Sequence, residues 1–584
     1  MRARSSLLVL PGYLALTLVL TWPLLREISS AVPAAIGTQG EVLGGPFVIG
    51  WVLKTLFRDP GQVFHLPIFH PEPLALAYSD HLIGEALMAA PAVSLTGSLA
   101  LGYNRVIILS FVASAWAAYR LTRLVGVSRS GAFLAGLLFA FAPFRYSNLG
   151  FLNQITTEFL PLGLFFALRF VRRWRRRDLA GATATLVAQS YCGWYYTLYL
   201  ALAYVLLALY AWAAGWLRRG RVPWRAVGVA ALAGAVLVLP GLLPYLELRR
   251  IMPGFGRTLG MTAMYSADLL DYVKTSRGNW LAGRWLGLTT GLACWPGLVT
   301  VPLALVGLAS LWRERRRAAE VGYFAALGGV AFLLSLGPVL HVAGKQLPIP
   351  LAYGAVYFLF PGFSALRGPA RLAVLVLLAA VVLAGVGYDR WLRRLGARGE
   401  RVLFAGFAAV AVISSLNAVA RVPLPRRDAM PPAYDWLARR PGSFAILELP
   451  IPATESEEDS VDLVRQFHIL HHGRPTLDGV SGFVPPAVRR LRLELQSFPD
   501  RDVLREAALR GARYVVVHLE ELTPEARAEW RRTPAPSGLV PRVRFGDDLV
   551  LELDPALTAS GGRGSDTPDT RRRTSPPDSA PRAR

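Results

Sequence analysis

Eleven long apolar segments run through this chain of 584 residues, and the connections between them alternate in character. Every second connection is crowded with arginine: Arg120, Arg123 and Arg129, then Arg172 to Arg177, Arg218 to Arg225, Arg313 to Arg317, and Arg390 to Arg401. Short basic loops beside membrane-length segments stay in the cytoplasm, so this alternation orients the whole chain. It predicts an N-terminus inside, a C-terminus outside, and an outward position for the loops that carry Glu41, Asp80, His81, Arg145, Glu158, Asp268, Asp271, Arg367 and Arg371.

Composition leads the same way. Hydrophobic residues make up 53% of the chain and charged ones 17%, with a mean hydropathy of +0.38, values that exclude a soluble enzyme of this size. A net charge of +24 points to nucleic acid in a soluble protein. Here the excess lies in the cytoplasmic connections and the C-terminal tail, so anionic lipid headgroups are the expected partner and nucleic acid is not. Cys192 and Cys294 are the only cysteines, which excludes a disulfide framework or a cysteine metal site.

The first apolar run, Leu7 to Leu25, lacks a small-residue cleavage pattern and reads as a retained helix. A long outer loop, 26–102, follows. Within it Phe47, Trp51, Leu53 and Phe57, with Lys54 and Arg58, predict a helix in the membrane interface. The stretch from His81 to Ala100 is apolar, but a full crossing there would put Arg120 to Arg129 outside, so it is expected to dip without crossing. Further crossings are predicted at 103–122, 131–146, 156–171, 179–192, 194–216, 226–246, 291–311, 320–339, 371–388 and 402–421. Both flanks of 179–216 are basic, so that stretch must cross twice. Beyond 422 the composition changes. Tyr434 to Arg440 reads as a helix, Phe444 to Leu449 and Tyr514 to Leu519 as strands, which predicts a small extracytoplasmic α/β domain over 423–557. Residues 558–584, rich in Ser, Pro, Gly and Arg, are expected to be disordered.

A retained first helix, a long outer loop with an acid soon after it, interfacial helices, eleven crossings and an outer C-terminal domain resemble the GT-C class of membrane glycosyltransferases. That class includes the protein O-mannosyltransferases and the lipid A aminoarabinose transferases. Within it the chain is most similar to a bacterial group carrying segments like Phe69-His70-Pro71, Leu76-Ala77-Tyr78-Ser79-Asp80-His81-Leu82 and Phe139-Ala140-Phe141-Ala142-Pro143-Phe144-Arg145. Pro361-Gly362-Phe363, Arg367-Gly368-Pro369-Ala370-Arg371 and Asp478-Gly479-Val480-Ser481-Gly482-Phe483 look like that group as well. The resemblance, over residues 1–422, implies an all-α polytopic fold. It also implies transfer of a sugar from a polyprenyl-phosphate donor to a glycan, lipid or protein acceptor at the outer face of the cytoplasmic membrane.

Such transfer needs a carboxylate to take the acceptor's proton and cations to hold the departing phosphate. Where the class carries an Asp behind the first helix, this chain has Glu41, the first candidate base. Asp80 is the second, and it equally suits an N-cap for a helix beginning at Leu82. His81 and Glu158 are candidate substrate contacts, and Glu85, one turn beyond His81, is an alternate acid. Arg145, Arg367 and Arg371 stand at outer ends of crossings, where a planar guanidinium either grips phosphate or snorkels to headgroups. The run Tyr191, Trp194, Tyr195, Tyr196 and Tyr199 suits either a stacking surface or an interfacial belt. His468, His471 and His472 read as surface residues or acceptor contacts. No spacing matches a metal motif; a divalent ion is compatible with the chemistry but not indicated. The competing functions are a flippase or transporter of a lipid-linked sugar, and a non-catalytic envelope-assembly protein; the chain lacks the internal repeats usual in transporters.

Overall fold

The computed structural model describes residues 7–217, 222–252, 255–312, 315–360, 362–392, 396–454, 460–496, 499–532 and 536–559. Of the tail predicted to be disordered, only Thr558 and Ala559 fall among these, inside the short helix Ala556–Ala559. All the predicted crossings contain helix: Leu10–Leu20, Leu99–Leu124, Arg129–Ala140, Phe159–Arg173, Arg176–Cys192, Trp194–Ala213, Trp224–Ile251, Thr300–Leu308, Arg315–Ser335, Ala373–Leu392 and Ala397–Ser415. Among the described residues, six helices are long and apolar enough to cross a membrane.

Two of these segments shape the site, one by departing from the sequence prediction and one by following it. The predicted crossing 291–311 becomes helical only at Thr300; Pro296 and Gly297, the latter at φ +100°, keep residues 291–299 irregular. The stretch 179–216 does divide, at Gly193, whose φ of +153° and ψ of 142° are open to glycine and strained for other residues. The chain therefore turns within one residue between the helices Arg176–Cys192 and Trp194–Ala213.

In the outer loop the helix Gly44–Thr55 forms as expected, but it buries Phe47, Ile49 and Val52 against protein. The helix Ile83–Thr96 packs beside the start of Leu99–Leu124. Strand β1 (Ala31–Ala35) pairs antiparallel with β4 (Val419–Pro423), fastening the 26–102 loop to the segment that leaves the helix Ala397–Ser415, while β2 (Val339–Val342) and β3 (Lys345–Pro350) pair antiparallel with each other. The predicted domain boundary at 422–423 thus falls inside a strand.

The C-terminal unit is a four-stranded mixed sheet in the order β5 (Ala445–Leu449), β6 (Ala512–His518), β8 (Asp548–Leu553), β7 (Leu539–Phe545), with β5 and β6 parallel. The two strands predicted are β5 and β6, within two residues; the β7–β8 hairpin went unpredicted because its polar, arginine-rich edge hides the alternation. Ile446, Val516 and Val550 bury one sheet face with Tyr434 and Leu437, while Leu447, Val515, Val517 and Leu551 bury the other with Val503 and Leu504. Strands covered on both faces need the continuous apolar runs seen here. The unit is not freestanding. Its helix Ser460–His472 lies on Gly44–Thr55, and Leu463, Phe467, Phe483 and Val488 join the main core.

Candidate active site

The loops of the arginine-poor side enclose a cavity of about 980 Å³. Glu41, Asp80, Arg367 and Arg371 all line it. Four of the six segments that carry the family resemblance reach its wall: Leu76 to Leu82, Phe144, Arg367 to Arg371, and Val480 to Gly482. Phe69 and His70 stand behind it, and their backbone N–H groups donate to the carbonyls of Asp478 and Thr476 at 3.3 and 2.9 Å, docking the C-terminal segment onto the outer loop.

Glu41 lies in the turn between β1 and the helix Gly44–Thr55, with an exposed side chain. Among the described residues its carboxylate has no hydrogen-bond or ion-pair partner. Asp80 is half-buried and fully engaged. Asn153 Nδ2 donates to its Oδ2 at 2.7 Å, and the N–H of Trp194, first residue of the helix Trp194–Ala213, donates to its Oδ1 at 3.1 Å. The N-cap expectation needs correction in its target: Leu82 precedes the helix Ile83–Thr96 without any side-chain cap, and Asp80 instead meets the start of a different helix. Gly193 makes this approach possible by turning the chain at that point.

Arg367 and Arg371 present half-buried guanidinium groups to the cavity. Arg371 lies over the ring of Tyr195, 4.2 Å from its centroid, and Arg367 over Tyr265 at 4.4 Å. Among the described residues neither makes an ion pair or a side-chain hydrogen bond. Arg371 is within electrostatic reach of the Asp80 carboxylate.

Three residues expected at the site stand outside the lining. Arg145 is fully buried; Nη2 donates to Ile155 O at 2.5 Å and to Ser110 Oγ at 3.5 Å, with Phe111 4.5 Å beneath the guanidinium. Glu158 is buried beside it, accepting from Ser110 Oγ at 2.6 Å. Their charges therefore answer one another across a shared hydroxyl. His81 is buried among Phe64, Tyr191, Trp194 and Tyr245, and its Nδ1 accepts from the N–H of Ile83 at 3.3 Å. Glu85 accepts from Thr156 Oγ1 at 2.9 Å, also beneath the wall.

These buried groups pin the loop 147–157, which presents Asn148, Asn153 and Gln154 to the cavity. Tyr196 bonds the carbonyl of Gln154, Tyr103 that of Gly150, and Arg145 that of Ile155. The carboxamides were legible only as a polar patch ahead of Glu158.

The C-terminal unit supplies Leu463, Gln466, Val480, Ser481 and Gly482. Gln466 Oε1 accepts from the N–H of Val480 at 2.6 Å, and Arg492 bonds both Asp478 and the Gly479 carbonyl at 2.8 and 2.7 Å. Burial, opposed by the Arg492 guanidinium, pushes the Asp478 carboxyl up to about 6. A side chain at Gly482 would come within 2.9 Å of the Tyr78 carbonyl, so only glycine lets this loop close the wall.

His468 and His472 correct a further expectation. Both are buried, stacked on Tyr434 at 5.2 and 5.1 Å between ring centroids, because the helix that carries them packs on the helix Pro432–Ala438. Asp268 and Asp271 are structural as well: Asp268 accepts from the N–H groups of Leu270, Ala343 and Gly344, and Asp271 from Thr290. Among the described residues no group of three or more His, Cys, Asp or Glu side chains is arranged to hold a metal ion.

The fold is shared with solved structures. An arabinofuranosyltransferase from mycobacteria superposes with a TM-score of 0.56 at 17% identity, over 93% of this chain and 41% of that one. The fold is that of the GT-C glycosyltransferases. An oligosaccharyltransferase of Archaeoglobus fulgidus gives a TM-score of 0.50 at 14% identity, covering 89% of this chain and 69% of that one. This chain thus spans about two fifths of the arabinofuranosyltransferase's length. No family model and no curated protein matches the sequence. Apolar helices in a fold of this class make the chain a multi-pass membrane protein.

Proposed function

We propose that this protein is a glycosyltransferase of the cytoplasmic membrane, moving a sugar from a polyprenyl-phosphate carrier to an acceptor at the outer face. One observation carries the reading: two half-buried arginines that, among the described residues, make no ion pair share a cavity with two carboxylates. Cations withdrawn from water without a paired anion are costly, so the site calls for an anionic ligand, and a phosphate matches the guanidinium fork. The proposed orientation, with N-terminus inside, eleven crossings and the C-terminal unit outside, follows from the arginine-rich connections at the opposite end.

In the proposed reaction Arg367 and Arg371 hold the phosphate of the carrier. The Glu41 carboxylate accepts the proton of the acceptor hydroxyl as its oxygen bonds to the anomeric carbon. The bond from that carbon to the phosphate oxygen breaks on the opposite face, inverting the configuration, and the polyprenyl phosphate leaves with an additional negative charge against the two arginines. Asp80, whose oxygens are already engaged, orients the acceptor or serves as the alternate base. Asn148, Asn153, Gln154 and Gln466 supply the carboxamide donors and acceptors that sugar hydroxyls require.

The test is chemical. Replacing Arg367 or Arg371 with lysine keeps the charge but removes the bidentate fork. In cells carrying each variant at matched protein levels, loss of sugar transfer and accumulation of a prenyl-phosphate sugar, read by mass spectrometry of lipid extracts, is the expected result. Full transfer by both lysine variants would assign these side chains to headgroup anchoring.

A further inference from the structure

Tyr195 and Tyr265 each touch the arginine segment twice. Tyr195 places its ring under Arg371 at 4.2 Å, and its hydroxyl accepts the backbone N–H of Arg367 at 2.8 Å. Tyr265 places its ring under Arg367 at 4.4 Å, and its carbonyl accepts the N–H of Ala370 at 3.3 Å. The two contacts are crossed: each tyrosine supports one guanidinium and also holds the backbone elsewhere in Arg367–Arg371. The hydroxyl of Tyr199, one turn along the helix from Tyr195, adds a 3.4 Å bond to Gly368 O.

A guanidinium held over an aromatic face at this distance is attracted to the ring and restrained in position. Long arginine side chains otherwise lose rotamer freedom when a ligand fixes them. Holding them before the ligand arrives removes that cost from binding. Tyr195 also follows Trp194, whose N–H is bonded to Asp80. Two consecutive residues at one helix start therefore set the acid and the arginines relative to one another.

We propose that Tyr195 and Tyr265 are positioning residues that hold Arg371 and Arg367 as a preformed clamp for the phosphate of a prenyl-phosphate ligand. The aromatic run around Tyr195 is, at this residue, a support for cations rather than a membrane belt. The proposal rests on the phosphate reading of the two arginines.

Farnesyl phosphate is the probe, with farnesol as the chain lacking phosphate, and the full-length protein in lipid nanodiscs is titrated with each. A cation–π contact contributes about 0.5–2 kcal/mol, so Tyr195→Leu and Tyr265→Leu are each expected to raise the Kd for farnesyl phosphate about two- to thirty-fold. Farnesol binding should not change. Tyr195→Phe keeps the ring and loses only the bond to Arg367, so it should recover most of the Tyr195→Leu loss while staying about two- to tenfold weaker than the native chain. Tyr265→Phe should likewise bind more tightly than Tyr265→Leu. If a leucine variant fails to fold, Tyr195→Phe with native affinity for farnesyl phosphate overturns the proposal on its own. Native affinity in both leucine variants, alongside lost binding in an Arg367→Leu/Arg371→Leu double variant, overturns the tyrosine roles and leaves the phosphate reading standing. Native affinity in the double variant overturns both.

Discussion

Glu41→Gln separates chemistry from folding more cleanly than any other change at this site. The Glu41 side chain is exposed and, among the described residues, has no partner, so an isosteric neutral replacement removes no native contact. Surface substitutions of this kind shift stability by less than about 0.5 kcal/mol. If Glu41 takes the acceptor's proton, its loss removes a general base that contributes about 10²- to 10⁴-fold. That corresponds to roughly 3–5 kcal/mol of barrier, ten times the stability effect. Asp80→Asn has the opposite balance. The new amide can still accept from the Trp194 N–H, but its NH₂ then faces Asn153 Nδ2, so Asn153 must flip, and loss of charge-assisted bonding costs about 1–2 kcal/mol. Each variant replaces the native chain in cells. Lipid-linked sugars are quantified by mass spectrometry and unfolding is followed in purified protein. The expected pattern is a stable but inactive Glu41→Gln and a less stable, partly active Asp80→Asn. Native transfer by Glu41→Gln with none by a folded Asp80→Asn would move the base to Asp80; native transfer by both would refute carboxylate base catalysis in this cavity.

Two further outcomes follow from groups that the sequence placed elsewhere. Arg145→Met strips a fully buried guanidinium from Ile155 O and from the electrostatic field of buried Glu158, so it should destabilise the fold by about 3–5 kcal/mol, seen as reduced folded yield. A stable Arg145→Met that binds farnesyl phosphate weakly would return Arg145 to the phosphate. In the C-terminal unit, burial holds both His468 and His472 down to about 4, below the ordinary 6.5 of an unfolded chain. Between pH 6.5 and 4 the unfolded chain therefore binds more protons at these rings, and stability falls as pH falls. Asp478, raised to about 6, and His518, raised against its burial by its hydrogen bonds to Asp548 and Glu448, work the other way, against the three imidazoles of His468, His471 and His472 that burial lowers. Hydrogen exchange in β5 and β6 should accelerate on acidification, and His468→Phe/His472→Phe, which retains the stacking on Tyr434, should flatten that dependence. An unchanged slope would refute the assignment.

The helices were legible because membrane insertion imposes a simple rule on sequence, a run of apolar residues with arginine at the inner end, and 179–216 shows its reach. Length and charge parity required two helices there; the single residue that separates them is Gly193. Where the signal failed, polarity and covering were at odds. Residues 291–299 are apolar enough to extend a crossing, yet Pro296 and Gly297 stop the helix and leave that stretch at the cavity wall. His468 and His472 are polar and read as surface, but the ring that covers them is Tyr434, more than thirty residues away in the chain.

Charge at helix ends led the sequence to several residues that share one cavity, without resolving which of them line it. Arg145, Arg367 and Arg371 look alike in sequence, each an arginine at the predicted outer end of a crossing. What distinguishes them is whether an acid and free carbonyls lie behind the same wall. Arg145 has the Ile155 carbonyl and, across Ser110, the Glu158 carboxylate, so its charge is answered inside the protein. Arg367 and Arg371 have only tyrosine faces beneath them, so among the described residues their N–H edges remain available to the cavity. A buried cation that already has its anion belongs to the scaffold, whereas one resting on an aromatic face at a cavity wall is open to a ligand, and under the proposed function that difference, set by residues distant in sequence, separates Arg145 from Arg367 and Arg371.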